Sequence, residues 1–213
     1  MWRPDLDNNP FLIGGYRWES QASTELWDGK TWQSHHDLPA PMDTHCVVKI
    51  KATTVFFIAD IGDIGRPHQV AYFYSPATGF VQTDAPKART LFACGLYKDY
   101  VVIAGGNGAA DVAYITSEFF SLETQTWHVG PSVENEWKKY IYNGEWQKEK
   151  HMYNYAGEIF NWKGRTFWIG EMVIWELLGE FGSWQWTKVK VLENMRSKFE
   201  TFLMTAQECS GWQ

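Results

Sequence analysis

The chain has 213 residues, enough to bury one sizeable core, and its 13 Trp, 10 Tyr and 13 Phe make it 17 % aromatic. A net charge of −6, from 19 Lys and Arg against 25 Asp and Glu, leaves no basic excess to neutralise a phosphate backbone, so a nucleic-acid partner is not expected. No window reaches the roughly 18 apolar residues of a membrane helix, and residues 1–10 carry no apolar stretch of the signal-peptide kind.

Taken in chain order, the first apolar run is Phe11-Leu-Ile-Gly14-Gly15, followed by a polar loop and by the turn Asp28-Gly-Lys-Thr-Trp32. A second unit reads as four strands at Thr44–Lys51, Val55–Ile61, Gln69–Tyr74 and Phe80–Thr83. The third has strands at Thr90–Leu96, Tyr100–Ala104, Ser117–Ser121 and Thr126–Val129, and the fourth at Tyr155–Trp162, Thr166–Gly170, Val173–Leu178 and Trp184–Val191. Lys98-Asp99 and Lys163-Gly164 are the hairpin turns between the first two strands of their units. The first unit is expected to lack its first strand, and residues 197–207 resemble a first strand with no successor.

Two landmarks recur in the same order. Apolar runs ending in small residues appear at Phe11–Gly15, Phe56–Asp60, Val102–Gly106 and Phe167–Glu171, and each precedes a polar turn closed by an aromatic. Those aromatics, Trp32, Phe80, Trp127 and Trp186, lie 48, 47 and 59 residues apart. A period near 50 with four strands per unit resembles the kelch repeat, whose signature is a Gly doublet after the second strand and a Trp on the fourth. Gly14-Gly15 with Trp32 and Gly105-Gly106 with Trp127 carry the resemblance; the second unit substitutes Ala59-Asp60 and Phe80, and the fourth keeps only Gly170 beside Trp186.

The resemblance implies an all-β, kelch-type β-propeller of about four blades, each of four antiparallel strands a to d. It covers units near 10–42, 43–88, 89–132 and 151–196. A C-terminal strand at 197–207 either closes the ring, or the chain is a fragment of a larger propeller. The Gly doublets are expected on a strand b close to the axis, where small residues allow positive φ and close approach. Trp32 and Trp127 are expected to cover gaps between blades, where burying one such ring is worth on the order of 4–6 kcal/mol before entropy is subtracted.

The largest excess over the period maps to residues 133–150, where Tyr140-Ile-Tyr142 and Glu145-Trp146-Gln147 flank Asn143-Gly144, the signature of a two-residue hairpin. In an antiparallel meander the b–c and d–a connections share one end of the blades. That end would gather Tyr16, Arg17, Trp18, Arg66, His68 and Asn107 with Trp137, Tyr140, Tyr142 and Trp146. Tyr, Trp and Arg on loops are the residue types of interface hot spots, so a partner protein is the expected ligand; stacking of sugar rings on exposed aromatics is the alternative.

Other chemistry finds less support. His35, His36, Asp43, His45 and Cys46 cluster in sequence, but their spacing matches no zinc or copper pattern, and His45 and Cys46 should point to opposite faces of one strand. Gly105-Gly-Asn-Gly108 lacks the Lys-Ser/Thr of a phosphate loop. No cofactor, metal or catalytic constellation is therefore expected. Cys46, Cys94 and Cys209 are odd in number and far apart, and no Asn-x-Ser/Thr acceptor occurs. The expectation is a reducing, cytoplasmic setting with unpaired thiols, and self-association if the ring is incomplete.

Overall fold

The structure is a computed structural model that describes residues 5–42, 44–60, 68–108, 114–133, 141–142, 145–146, 158–170 and 173–191. All its regular elements are β-strands, arranged as four four-stranded antiparallel sheets and two short hairpins. The first sheet holds β1 (Asp5–Leu6) and β2 (Asn9–Ile13); the hairpin β3 (Tyr16–Arg17) and β4 (Glu19–Ser20) intervenes before β5 (Thr24–Trp27) and β6 (Trp32–Ser34) complete it. The second comprises β7 (Thr44–Lys51), β8 (Thr54–Asp60), β9 (Gln69–Ser75) and β10 (Gly79–Thr83). The third comprises β11 (Ala93–Tyr97), β12 (Tyr100–Ala104), β13 (Thr116–Ser121) and β14 (Trp127–Ser132). After the hairpin β15 (Ile141–Tyr142) and β16 (Glu145–Trp146), the fourth comprises β17 (Glu158–Trp162), β18 (Arg165–Ile169), β19 (Val173–Leu178) and β20 (Gln185–Val191). Four meanders in succession give a four-blade, propeller-like arrangement.

Two expectations about strand a need correction. The first unit does not lack it: β1 pairs with β2 through Asp5↔Pro10 and Leu6↔Asn9. Asp7 and Asn8, at φ of 53° and 63°, make the two-residue turn with both central residues left-handed that joins them, which Asp and Asn tolerate better than other side chains. Strand b is also not the innermost. β11 packs against both β7 and β17, so strand a of the second, third and fourth blades lines the inside. The glycine needed there is Gly95 on β11, where a Cβ would come within 2.5 Å of the Ile159 carbonyl oxygen and 2.7 Å of its Cβ. Gly95→Val should therefore separate the third and fourth blades and cost about 1–3 kcal/mol in urea unfolding. An unchanged midpoint would contradict this packing.

The Gly doublets do take the left-handed conformation expected of them, with φ between 52° and 111° at Gly14, Gly15, Gly105 and Gly106. Their role is to seat the d–a connections. A Cβ on Gly106 would meet the Thr90 carbonyl at 2.5 Å, and the Gly15 N–H donates to the Met42 carbonyl at 2.9 Å.

Each gap between blades has its own core. Leu6, Phe11 and Ile13 meet Val55, Phe57, Tyr72 and Tyr74 in the first gap. Phe56, Ile58 and Ala71 meet Val101, Ile103 and Phe120 in the second. Val102 and Phe119 meet Ile159, Trp168 and Trp175 in the third. The strand d aromatics follow one rule: Phe80, Trp127 and Trp186 each pack into the gap towards the preceding blade. Trp127 is thereby the gap-covering residue expected of it. Trp32 is not, and remains 42 % exposed beside Trp27, because the first blade follows no other in the described chain.

The cysteines also depart from expectation. Cys46 on β7 and Cys94 on β11 form a disulfide, with Cα atoms 6.2 Å apart and a sequence separation of 48. The Cα–Cα distance lies within the normal span of such bonds, and the link joins the inner strands of the second and third blades inside their shared core.

Candidate functional site

The end of the blades that carries the b–c and d–a connections is built on fixed backbone. In the first blade, the Gln21 N–H donates to the Gly15 carbonyl at 2.8 Å, and the Met42 N–H donates to the Gln21 carbonyl at 2.9 Å. This pinned base carries the hairpin β3–β4, paired through Tyr16↔Ser20 and Arg17↔Glu19. Trp18 stands alone at its tip, 90 % exposed, with φ of 62°. A bulky side chain in the left-handed region is strained by roughly 1–2 kcal/mol, and backbone strain of this sort is concentrated at functional positions.

In the third blade the same end is organised by a residue that sequence reasoning did not single out. Arg89 is fully buried. Its Nη1 donates to the carbonyls of Gly105 at 3.0 Å and Thr116 at 3.1 Å, its Nε donates to the Lys87 carbonyl, and its Nη2 pairs with Glu118. The Tyr114 ring lies 4.9 Å from the guanidinium carbon. Burial pulls the Arg89 guanidinium below its ordinary pKa, and the Glu118 carboxylate opposes that shift. Its backbone N–H donates to Gln69 Oε1, and Gln69 Nε2 donates to the Ala59 carbonyl, so the network ties the second blade to the third.

The expected contact residues divide accordingly. Trp18 is displayed, with Tyr16 and Arg17 in the strand leading to it, and His68 is exposed. Asn107 is only 2 % exposed and pairs its backbone with Thr90 in both directions, so it belongs to the support of this face. Tyr142 pairs with Glu145 and Ile141 with Trp146, giving the hairpin register that Asn143-Gly144 implies. Arg66, Trp137 and Tyr140 lie outside the described residues, as does the strand expected at 197–207.

The histidines suggested as metal ligands are held otherwise. His35 Nδ1 lies 2.9 Å from the Tyr74 hydroxyl, whose pKa burial pushes up to about 12. His36 Nε2 lies 3.2 Å from the Pro76 carbonyl, His45 packs on Phe57, and Cys46 is disulfide-bonded. Asp43 lies outside the described residues. Among the described residues no group of three or more His, Cys, Asp or Glu could hold a metal ion, and no helix is long and apolar enough to cross a membrane.

No protein-family model matches the sequence, and no curated protein does. Among solved structures, one titled "Structure of YjhT" superposes with a TM-score of 0.65 at 11 % identity, over 92 % of this chain and 66 % of that one. The likeness is one of fold. The chain spans just under two thirds of that protein's length.

Proposed function

We propose that the chain is a non-catalytic protein-interaction module of degenerate kelch repeats, which binds a partner protein through its b–c and d–a loop face. The observation that carries this reading is Trp18: a large ring held 90 % exposed at a left-handed position on a pinned hairpin. Trp is among the residues most enriched in interface hot spots, and a loop whose backbone is already held loses less entropy on binding than a loose one. The test separates binding from folding by sign. Trp18→Gly removes the ring and relieves the backbone, so stability in urea should stay level or rise by up to about 1 kcal/mol. Affinity for a partner isolated with the wild-type protein should fall about 30-fold or more. Unchanged affinity would overturn the reading.

We propose separately that the protein works in an oxidising setting, in which the Cys46–Cys94 bond would persist, rather than in the reducing, cytoplasmic setting expected from the cysteine count.

A further inference from the structure

The outer edges of neighbouring blades meet differently in the three gaps. Between the first and second, the His36 ring sits over Gly79, where a Cβ would stand 3.3 Å from the ring, and Nε2 faces the Pro76 carbonyl. Between the second and third, the Trp127 indole N–H donates to the Asp84 carbonyl at 2.8 Å. Between the third and fourth, the corresponding strip is a cleft of about 390 Å³, at the small end of the range for ligand sites.

Aromatic groups form most of this cleft. Trp184 is stacked on Phe119 with centroids 3.9 Å apart and planes 8° from parallel, and Gly130 makes room for the Phe119 ring, which a Cβ there would strike. Phe181, in the turn between β19 and β20, is 60 % exposed. His128 and Trp184 both meet its ring edge to face, at 4.9 Å and 85° and at 5.3 Å and 87°. Trp127 and Pro131 complete the walls. Among the described residues no carboxylate, ammonium or guanidinium lines the cleft, and His128 is the titratable side chain there.

We propose that this cleft binds a neutral pyranose ring. A pyranose offers a flat C–H face to an aromatic ring and a rim of hydroxyls to an imidazole or a backbone carbonyl, which is the mixture these walls present. A quaternary ammonium would favour rings enclosing it on several sides. A proline-rich peptide would need an aromatic-lined groove long enough for several residues. The site is separate from the loop face, and either can fail without the other.

The experiment is a titration of intrinsic tryptophan fluorescence with methyl β-D-glucopyranoside, methyl α-D-mannopyranoside and N-acetyl-D-glucosamine, with choline and a decaproline peptide run in parallel. Wild-type protein should saturate with at least one sugar at a millimolar Kd, as expected for so small a ligand. Phe181→Ala should weaken that binding about tenfold and lower the thermal midpoint by no more than a few degrees, through its lost contacts with His128 and Trp184, whereas Phe181→Tyr should retain both binding and midpoint. Absence of saturation with all three sugars, equal affinity in Phe181→Ala, or tighter binding of choline or decaproline than of any sugar would each overturn the proposal.

Discussion

Replacing Arg89 by alanine is expected to cost about 3–5 kcal/mol of stability, among the largest single-residue effects in this chain. The loss has two sources. Glu118 is left mostly enclosed without its counter-charge, and the carbonyls of Lys87, Gly105 and Thr116 lose a donor that water cannot readily replace. Arg89→Met with Glu118→Gln should recover only part of the loss. That pair removes the stranded charge but leaves the Lys87 and Gly105 carbonyls without the guanidinium donor, and Thr116 with the Gly105 N–H alone. Urea unfolding followed by tryptophan fluorescence reads both variants. A loss under about 1 kcal/mol for Arg89→Ala would contradict the network described at this end of the third blade.

Removing the Cys46–Cys94 bond should be nearly as costly. Closing a loop of 48 residues restricts the unfolded chain by about 4 kcal/mol in the chain-entropy account. For a chain of this length that corresponds to a fall in Tm on the order of 10 °C. Cys46→Ser and wild-type protein treated with reductant should melt together, below untreated wild type, whereas Cys209→Ser should melt with untreated wild type. Differential alkylation and peptide mapping would show the linked peptides directly. Free thiols at positions 46 and 94 in protein isolated without reductant would remove both the stability effect and the oxidising setting proposed from it.

The repeat was legible because the second, third and fourth blades each pack an aromatic in nearly the same place. Phe80, Trp127 and Trp186 keep the period in sequence because they solve the same packing problem in successive gaps. Trp32 keeps the period too but lies at the start of the series, and a spacing argument cannot tell a gap that is filled from one that is not. β1 escaped notice because two residues carry no periodicity; the Asp7-Asn8 turn was its available signal. The disulfide had a signal as well. Cys46 and Cys94 are 48 residues apart, the same separation as Trp32 and Phe80, so they stand one repeat apart on neighbouring inner strands. Counting three cysteines hid what their spacing contained.

The loop face was legible in part for a related reason. The exposed tip of β3–β4 was legible through residue type, since Tyr, Arg and Trp together in a connection are the types enriched at interfaces. Asn107 was mistaken for one of them because a polar residue after a Gly doublet looks like open loop, whereas its backbone closes a bridge with Thr90. Arg89 left no trace in the sequence. Its partners are mostly backbone carbonyls brought together from three segments, and no spacing rule encodes them. The aromatic cleft was likewise invisible, because His128 and Phe181 come from different blades.

The most direct test of partner binding through the loop face is site-specific photocrosslinking, with benzoylphenylalanine replacing Trp18 in one protein and Val189, half exposed on β20, in another. The loop-face account predicts a discrete covalent adduct with one partner protein from position 18 and none from position 189. An absence of adduct at position 18, or the same adducts from both positions, would contradict it.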